Sequence, residues 1–128
     1  MFLSIVFAAC LLGLPQGGDQ VAGVWKSGER VSGEPRVVIE LRDAGGKLGG
    51  TIVMRGVVDD DNNSTTLNLV IEGAERSGNK VTFKAKMPDD NVTEWEIQFD
   101  GDNALAAIVA DNDGPSSDVQ QWKMKRDH

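Results

Sequence analysis

The 128-residue chain has one cysteine, one histidine and no tyrosine. Cys10 lies in an apolar N-terminal stretch and His128 is the last residue. A Ser-His-Asp or Cys-His arrangement therefore has no base or no nucleophile to work with. A zinc site lacks its preferred ligands, and no disulfide can staple the fold. Cations are also scarce: 13 Lys and Arg stand against 20 Asp and Glu, for a net charge of -7. Phosphate backbones and anionic bilayers both need a basic face, so nucleic acid and membrane surfaces are excluded as partners. No Gly-rich phosphate loop opens a helix. The sequence predicts a protein that is not an enzyme and carries no cofactor.

The only long apolar run is Phe2 to Leu14, uncharged and too short to span a bilayer, which takes about 20 residues. It fits the apolar region of a secretory signal ended by Pro15-Gln16-Gly17-Gly18. The expected division is 1–18 as signal peptide or lipoprotein leader and 19–128 as one β domain, with no transmembrane helix in the mature chain. Phe7-Ala8-Ala9-Cys10 resembles the bacterial lipobox, whose cysteine is lipidated, so Cys10 is the lipidation candidate. Simple secretion and an uncleaved apolar N-terminus are the alternatives. The compartment expected is secreted or periplasmic, with lipid anchoring to the envelope as a variant.

From Gly23 onward the hydrophobic period is two. Val37, Ile39 and Leu41 alternate with polar residues, as do Val81, Phe83 and Ala85, then Trp95, Ile97 and Phe99, then Trp122 and Met124. Turn-forming clusters such as Asp43-Ala44-Gly45-Gly46 and Asp100-Gly101-Asp102-Asn103 separate these runs. Eight strands are predicted near 22–26, 36–43, 48–55, 66–76, 80–87, 92–100, 104–111 and 118–126. No segment between them is long enough for a crossover helix. The fold class is all-β, an eight-stranded antiparallel up-and-down barrel. Within the 80–100 hairpin, pairing Met87 with Thr93 sets Ala85 opposite Trp95 and Phe83 opposite Ile97, and matches Lys86 and Lys84 with Glu94 and Glu96. Ala74 breaks the parity of Leu67, Leu69 and Ile71, so a β-bulge is expected at Gly73. The interior list includes Met54, Met87, Trp95, Leu105 and Met124.

In such a barrel alternate loops share an end. The long ones, 27–35, 56–65, 88–91 and 111–117, all fall at one end, where binding loops belong. They carry Glu29, Glu34, Asp59, Asp60, Asp61, Asp89, Asp90, Asp111 and Asp113, with Arg30 the only basic residue among them. An acidic mouth attracts cations or a basic protein and repels free fatty acids. The plain alternative is that Asp forms turns well, which leaves Asp59-Asp60-Asp61 least explained. Those three are a weak calcium candidate without EF-hand spacing. Met54, Met87 and Trp95 are candidate wall residues for an apolar guest, though they serve equally as core fillers.

Gly23-Val24-Trp25 on the first strand resembles the G-x-W that opens lipocalins and other calycin-like barrels. Residues 45–52, GGKLGGTI, and 78–83, GNKVTF, resemble small secreted bacterial lipocalin-like domains of unassigned role. The resemblance implies that Trp25 closes the barrel bottom beneath a cation from the last strand, with Arg126 the candidate and Lys123 or Lys125 as alternatives. Taken with the acidic open end, the leading expectation is a monomeric lipocalin-like barrel that binds a small apolar or cationic ligand there. The chain is similar in length to periplasmic protease inhibitors as well, which implies a protein-binding module; a structural envelope lipoprotein is the third expectation. Replacing Asp59, Asp60 and Asp61 by Asn should leave thermal stability unchanged or slightly raised and abolish any calcium-induced shift in Tm. A lower Tm without calcium would instead give these residues a structural role.

Overall fold

Alternation of period two buries one face of each strand and wets the other, and an antiparallel sheet of such strands curls around its apolar face. A computed structural model describes residues 21–58, 61–111 and 114–127, with the backbone alone given for 115–119. The strands are β1 (Gly23–Ser27), β2 (Arg30–Val31), β3 (Glu34–Pro35), β4 (Val37–Ala44), β5 (Lys47–Val58), β6 (Ser64–Ser77), β7 (Lys80–Lys86), β8 (Val92–Asp100), β9 (Asn103–Asp111) and β10 (Gly114–Asp127). Eight of them form a closed antiparallel barrel in the order β1-β10-β9-β8-β7-β6-β5-β4, and β2 pairs with β3 in a small separate hairpin. Closure pairs β1 with β10 and with β4, so the barrel leaves no free sheet edge. The leader, Cys10 and the secretion signal lie outside the described residues.

All eight expected strands are present. Three run longer than the alternation suggests. β5 and β6 extend toward each other as far as Val58 and Ser64, and β10 begins at Gly114. The predicted 56–65 and 111–117 loops thereby shrink to short connections. The 27–35 segment is not a plain loop: β2 and β3 are joined by Ser32 and Gly33, both at positive φ (54° and 83°), as a two-residue primed turn requires.

The hairpin of β7 and β8 has a different register from the expected one. Ala85 pairs with Thr93, Phe83 with Trp95 and Lys84 with Glu94. The shift is two residues, so every side chain keeps its face but changes its partner. The turn sets it. Asp90 takes a left-handed φ of 67°, and Met87 N–H donates to Asn91 C=O at 2.8 Å. In the register adopted, Phe83 stacks on Trp95 with centroids 5.8 Å apart. Glu96 then faces Thr82 and reaches Lys80 at 3.9 Å.

The expected bulge is present. Between Glu72 and Glu75 the ladder slips, with Gly73 at φ 62°. A second bulge, which the sequence reading missed, separates Met54 from Val57 in β5, with Gly56 at φ 73°. On β9 the inward residues are Ala104 and Ala106, and Leu105 is exposed on the outer face, contrary to expectation. Ala104 sits opposite Phe99, and Ala106 opposite Ile97 and Trp122. Small residues there make room for large ones across the ladder.

The core runs through the barrel as one cluster that includes Trp25, Ile39, Ile52, Leu69, Val81, Ile97 and Met124. At the closed end Trp25 meets Phe99 edge-on at 4.9 Å. Its indole N–H donates to Val21 C=O at 3.0 Å, so the buried polar atom is satisfied. The Arg126 guanidinium carbon lies 4.4 Å from the Trp25 ring centroid, as the resemblance implied. The same side chain donates to Ala22 C=O at 2.7 Å and reaches Asp102 at 3.2 Å. Gly23 leaves space for it: a Cβ there would sit 2.6 Å from Arg126 Nη1. Trp25→Ala should cost about 3–5 kcal/mol in urea unfolding, the range for removing a buried aromatic.

Candidate functional site

At the opposite end of the barrel the core stops short of the rim. A cavity of about 360 Å³ opens there, lined by Arg36, Met54, Arg55, Gly56, Val57, Val58, Met87, Thr93, Ile108, Asp111, Gln120 and Trp122. Its floor follows from an aromatic tier. Trp95 stacks between Phe83 and Trp122, with the two indoles 5.6 Å apart and 21° from parallel. Three rings in a row brace each other, and Trp122 is the one that meets the cavity. Thr93 holds the tier in place. Its hydroxyl donates to Ala85 C=O at 2.9 Å and accepts the Trp95 indole N–H at 3.0 Å.

The wall on the β4–β5 side is polar. Strict alternation after Met54 would turn Gly56 inward and Val57 outward. With Arg55 and Gly56 both lying between the paired residues Met54 and Val57, the extra residue returns Val57 to the core side, and Arg55 is among the residues that line the cavity. Arg55 Nη1 donates to Pro35 C=O at 2.8 Å. Arg36 is more fully committed. Its Nη1 reaches the carbonyls of Arg55 and Gly56 at 3.4 Å each, and its Nε lies 2.8 Å from Glu29 Oε2 as a charge contact rather than an aligned hydrogen bond. Backbone bonds from Arg36 N–H to Glu29 C=O and from Arg55 N–H to Arg36 C=O join the β2–β3 hairpin to this wall. Any Cβ at Gly56 would lie 3.0 Å from Val31 and 3.1 Å from Arg36 Nη1. Ser27, itself buried, donates to Glu29 C=O and accepts the Val37 N–H, fixing the start of the same hairpin.

The residues picked from sequence do not gather in one place. Met54, Met87 and Asp111 line the cavity together. Trp95 lies beneath it, 1% exposed, and supports Trp122 rather than forming the wall. Asp61, Asp89 and Asp90 are exposed and outside the lining. Asp89 and Asp90 act as turn formers: Asp89 Oδ1 accepts the Asn91 N–H at 3.0 Å, and Asp90 N–H donates to Met87 C=O at 2.9 Å. Asp59, Asp60 and Asp113 lie outside the described residues, so of the three calcium candidates only Asp61 is described. Among the described residues no group of three or more His, Cys, Asp or Glu is placed to hold a metal ion. Gly23, Trp25 and Arg126 meet at the closed end, as described above.

Arg36, Arg55, Thr93, Ile108 and Gln120 were missed as site residues. For Arg55 a signal existed. Gly56 interrupts the alternation that Ile52 and Met54 establish, as Gly73 does after Ile71. The mouth is therefore not uniformly acidic: the arginines come from strand ends just below the loops. Comparison with protein-family models, characterised proteins and solved structures finds no match to this chain.

Thr93→Val keeps the shape and removes the hydroxyl that both Ala85 C=O and the Trp95 indole use. Chemical denaturation should show a loss of about 1–3 kcal/mol, the cost of leaving buried polar groups unpaired.

Proposed function

We propose that the chain is a non-enzymatic, lipocalin-like binding barrel that takes one small, largely apolar molecule at its open end. The observation that carries this reading is the apolar-floored cavity of about 360 Å³ formed by Met54, Val57, Met87, Ile108 and Trp122. Small-molecule sites span roughly 300–1,000 Å³ and are concave and mostly apolar with a few placed polar groups. This one sits at the small end of that range. Eight strands enclose either a filled core or one small ligand, and here the lower part is filled while the upper part is open. Two methionines in the wall suit an adaptable fit to an apolar guest.

The non-enzymatic part of the reading rests on the sequence, which offers no internal histidine and no cysteine beyond Cys10. The apolar run from Phe2 to Leu14 supports secretion or a periplasmic location, with or without a lipid on Cys10. Closure of the barrel ladder supports a monomer, since it leaves the eight barrel strands no edge to pair with a second copy. A protein-binding module or an envelope structural lipoprotein has less support, since a solid interior would serve either as well.

Filling the cavity tests the reading. Nile red should bind the wild type saturably with one site and change the tryptophan emission. Ile108→Phe should weaken that binding by at least about tenfold, a loss of roughly 1.4 kcal/mol, with Tm nearly unchanged. Absence of saturable binding of the dye to the wild type would defeat the proposal.

A further inference from the structure

The cavity wall holds one guanidinium that the fold leaves largely unused. An arginine has five N–H donors. Arg36 spends its charge on Glu29 and its Nη1 on two backbone carbonyls. Arg126 is taken up by Trp25, Ala22 and Asp102 at the other end. Arg55 is different: its Nη1 donates to Pro35 C=O at 2.8 Å, and it makes no ion pair with a carboxylate among the described residues. It is half-buried at the rim of an apolar cavity. At such a position an anionic partner would be screened less than at the open surface, and a guanidinium with donors to spare can take it. It stands among the lining residues beside Gly56 (φ 73°), in the β-bulge between Met54 and Val57. Asp111 on the same lining is already engaged in contacts of its own.

We infer that Arg55 recognises an anionic head group, and that the guest is a small amphiphilic carboxylic acid whose apolar part lies on Met54, Met87 and Trp122. This rests on the proposed binding function and narrows its ligand class. A planar guanidinium fork matches a carboxylate with two parallel hydrogen bonds. One uncommitted cation balances one negative charge, which favours a monoanion over a phosphate dianion beside Asp111. The acidic loops above do not oppose this. Exposed loop carboxylates are screened over about 8–10 Å at physiological salt, whereas a contact in the cavity is screened much less. The expectation of an acidic mouth that repels fatty acids considered the loops alone.

Three probes of equal chain length separate the possibilities: decanoate, decanol and decyltrimethylammonium, titrated below their micellar range and followed by tryptophan emission. Decanoate should bind at least about tenfold more tightly than decanol, the usual gain from a hydrogen bond to a charged group. The cationic probe should bind most weakly. Arg55→Met should erase the preference for decanoate while leaving the decanol affinity within about twofold, and Arg55→Lys should restore part of it. Equal binding of decanoate and decanol by the wild type overturns the carboxylate inference and leaves the binding function standing. Tightest binding of decyltrimethylammonium also overturns it, in favour of an acidic mouth. Failure of all three probes to bind removes both. Should Arg55→Met not fold, the wild-type comparison decides alone, together with loss of decanoate affinity as the pH falls below about 4 and its carboxylate is neutralised.

Discussion

The barrel depends on one arginine at its seam. Arg126 covers the Trp25 ring, caps the carbonyl of Ala22 and reaches Asp102 on the β8–β9 turn. It thus ties the first strand, the last strand and a neighbouring turn with one side chain. The ion pair by itself contributes little, because Asp102 is 65% exposed. The cation over the indole and the bond to a backbone carbonyl are better shielded, with the arginine side chain only 12% exposed. Gly23 is part of the same arrangement, since any side chain there would displace the guanidinium.

From that closed end the interior is filled in two tiers. Trp25 and Phe99 form the lower one; Phe83, Trp95 and Trp122 form the upper. Bulky rings in a narrow barrel require small neighbours, and Ala85, Ala104 and Ala106 supply them. Above the upper tier methionine, isoleucine and valine line the cavity, next to the β5 bulge. Cavity and core are therefore one packing pattern. The rings end where the cavity begins.

The strand count, the alternation and the closing pair were legible because period two is a strong signal and turn residues punctuate it. Register was less so. A slip of two residues between β7 and β8 preserves both faces, so hydrophobic pattern cannot detect it; turn geometry at Asp90 and the Phe83–Trp95 stack decide it. Leu105 was assigned inward on hydrophobicity alone, but it is Ala104 and Ala106 that lie beside Phe99 and Trp122, with Leu105 on the outer face. The binding end was located by loop position. Its chemistry was misread because charge was counted on acidic loops, while Arg36 and Arg55 also line the cavity, held by hydrogen bonds to backbone carbonyls that loop composition does not encode.

The seam also governs the order in which the chain can fold. Arg126 and Ala22 lie 104 positions apart, so closure needs nearly the whole described chain. Each hairpin from β4 to β10 can form from neighbours, but β1 has one partner early, β4, and its second only when β10 arrives. Until then the growing sheet has two open edges, each a template for pairing with another chain. Long-range closure of this kind is slow compared with hairpin formation. A chain cut short before β10 would keep most of its strands and none of its closure, exposing Trp25 and the edges together; the last fourteen-residue strand is what turns a sticky sheet into a sealed one.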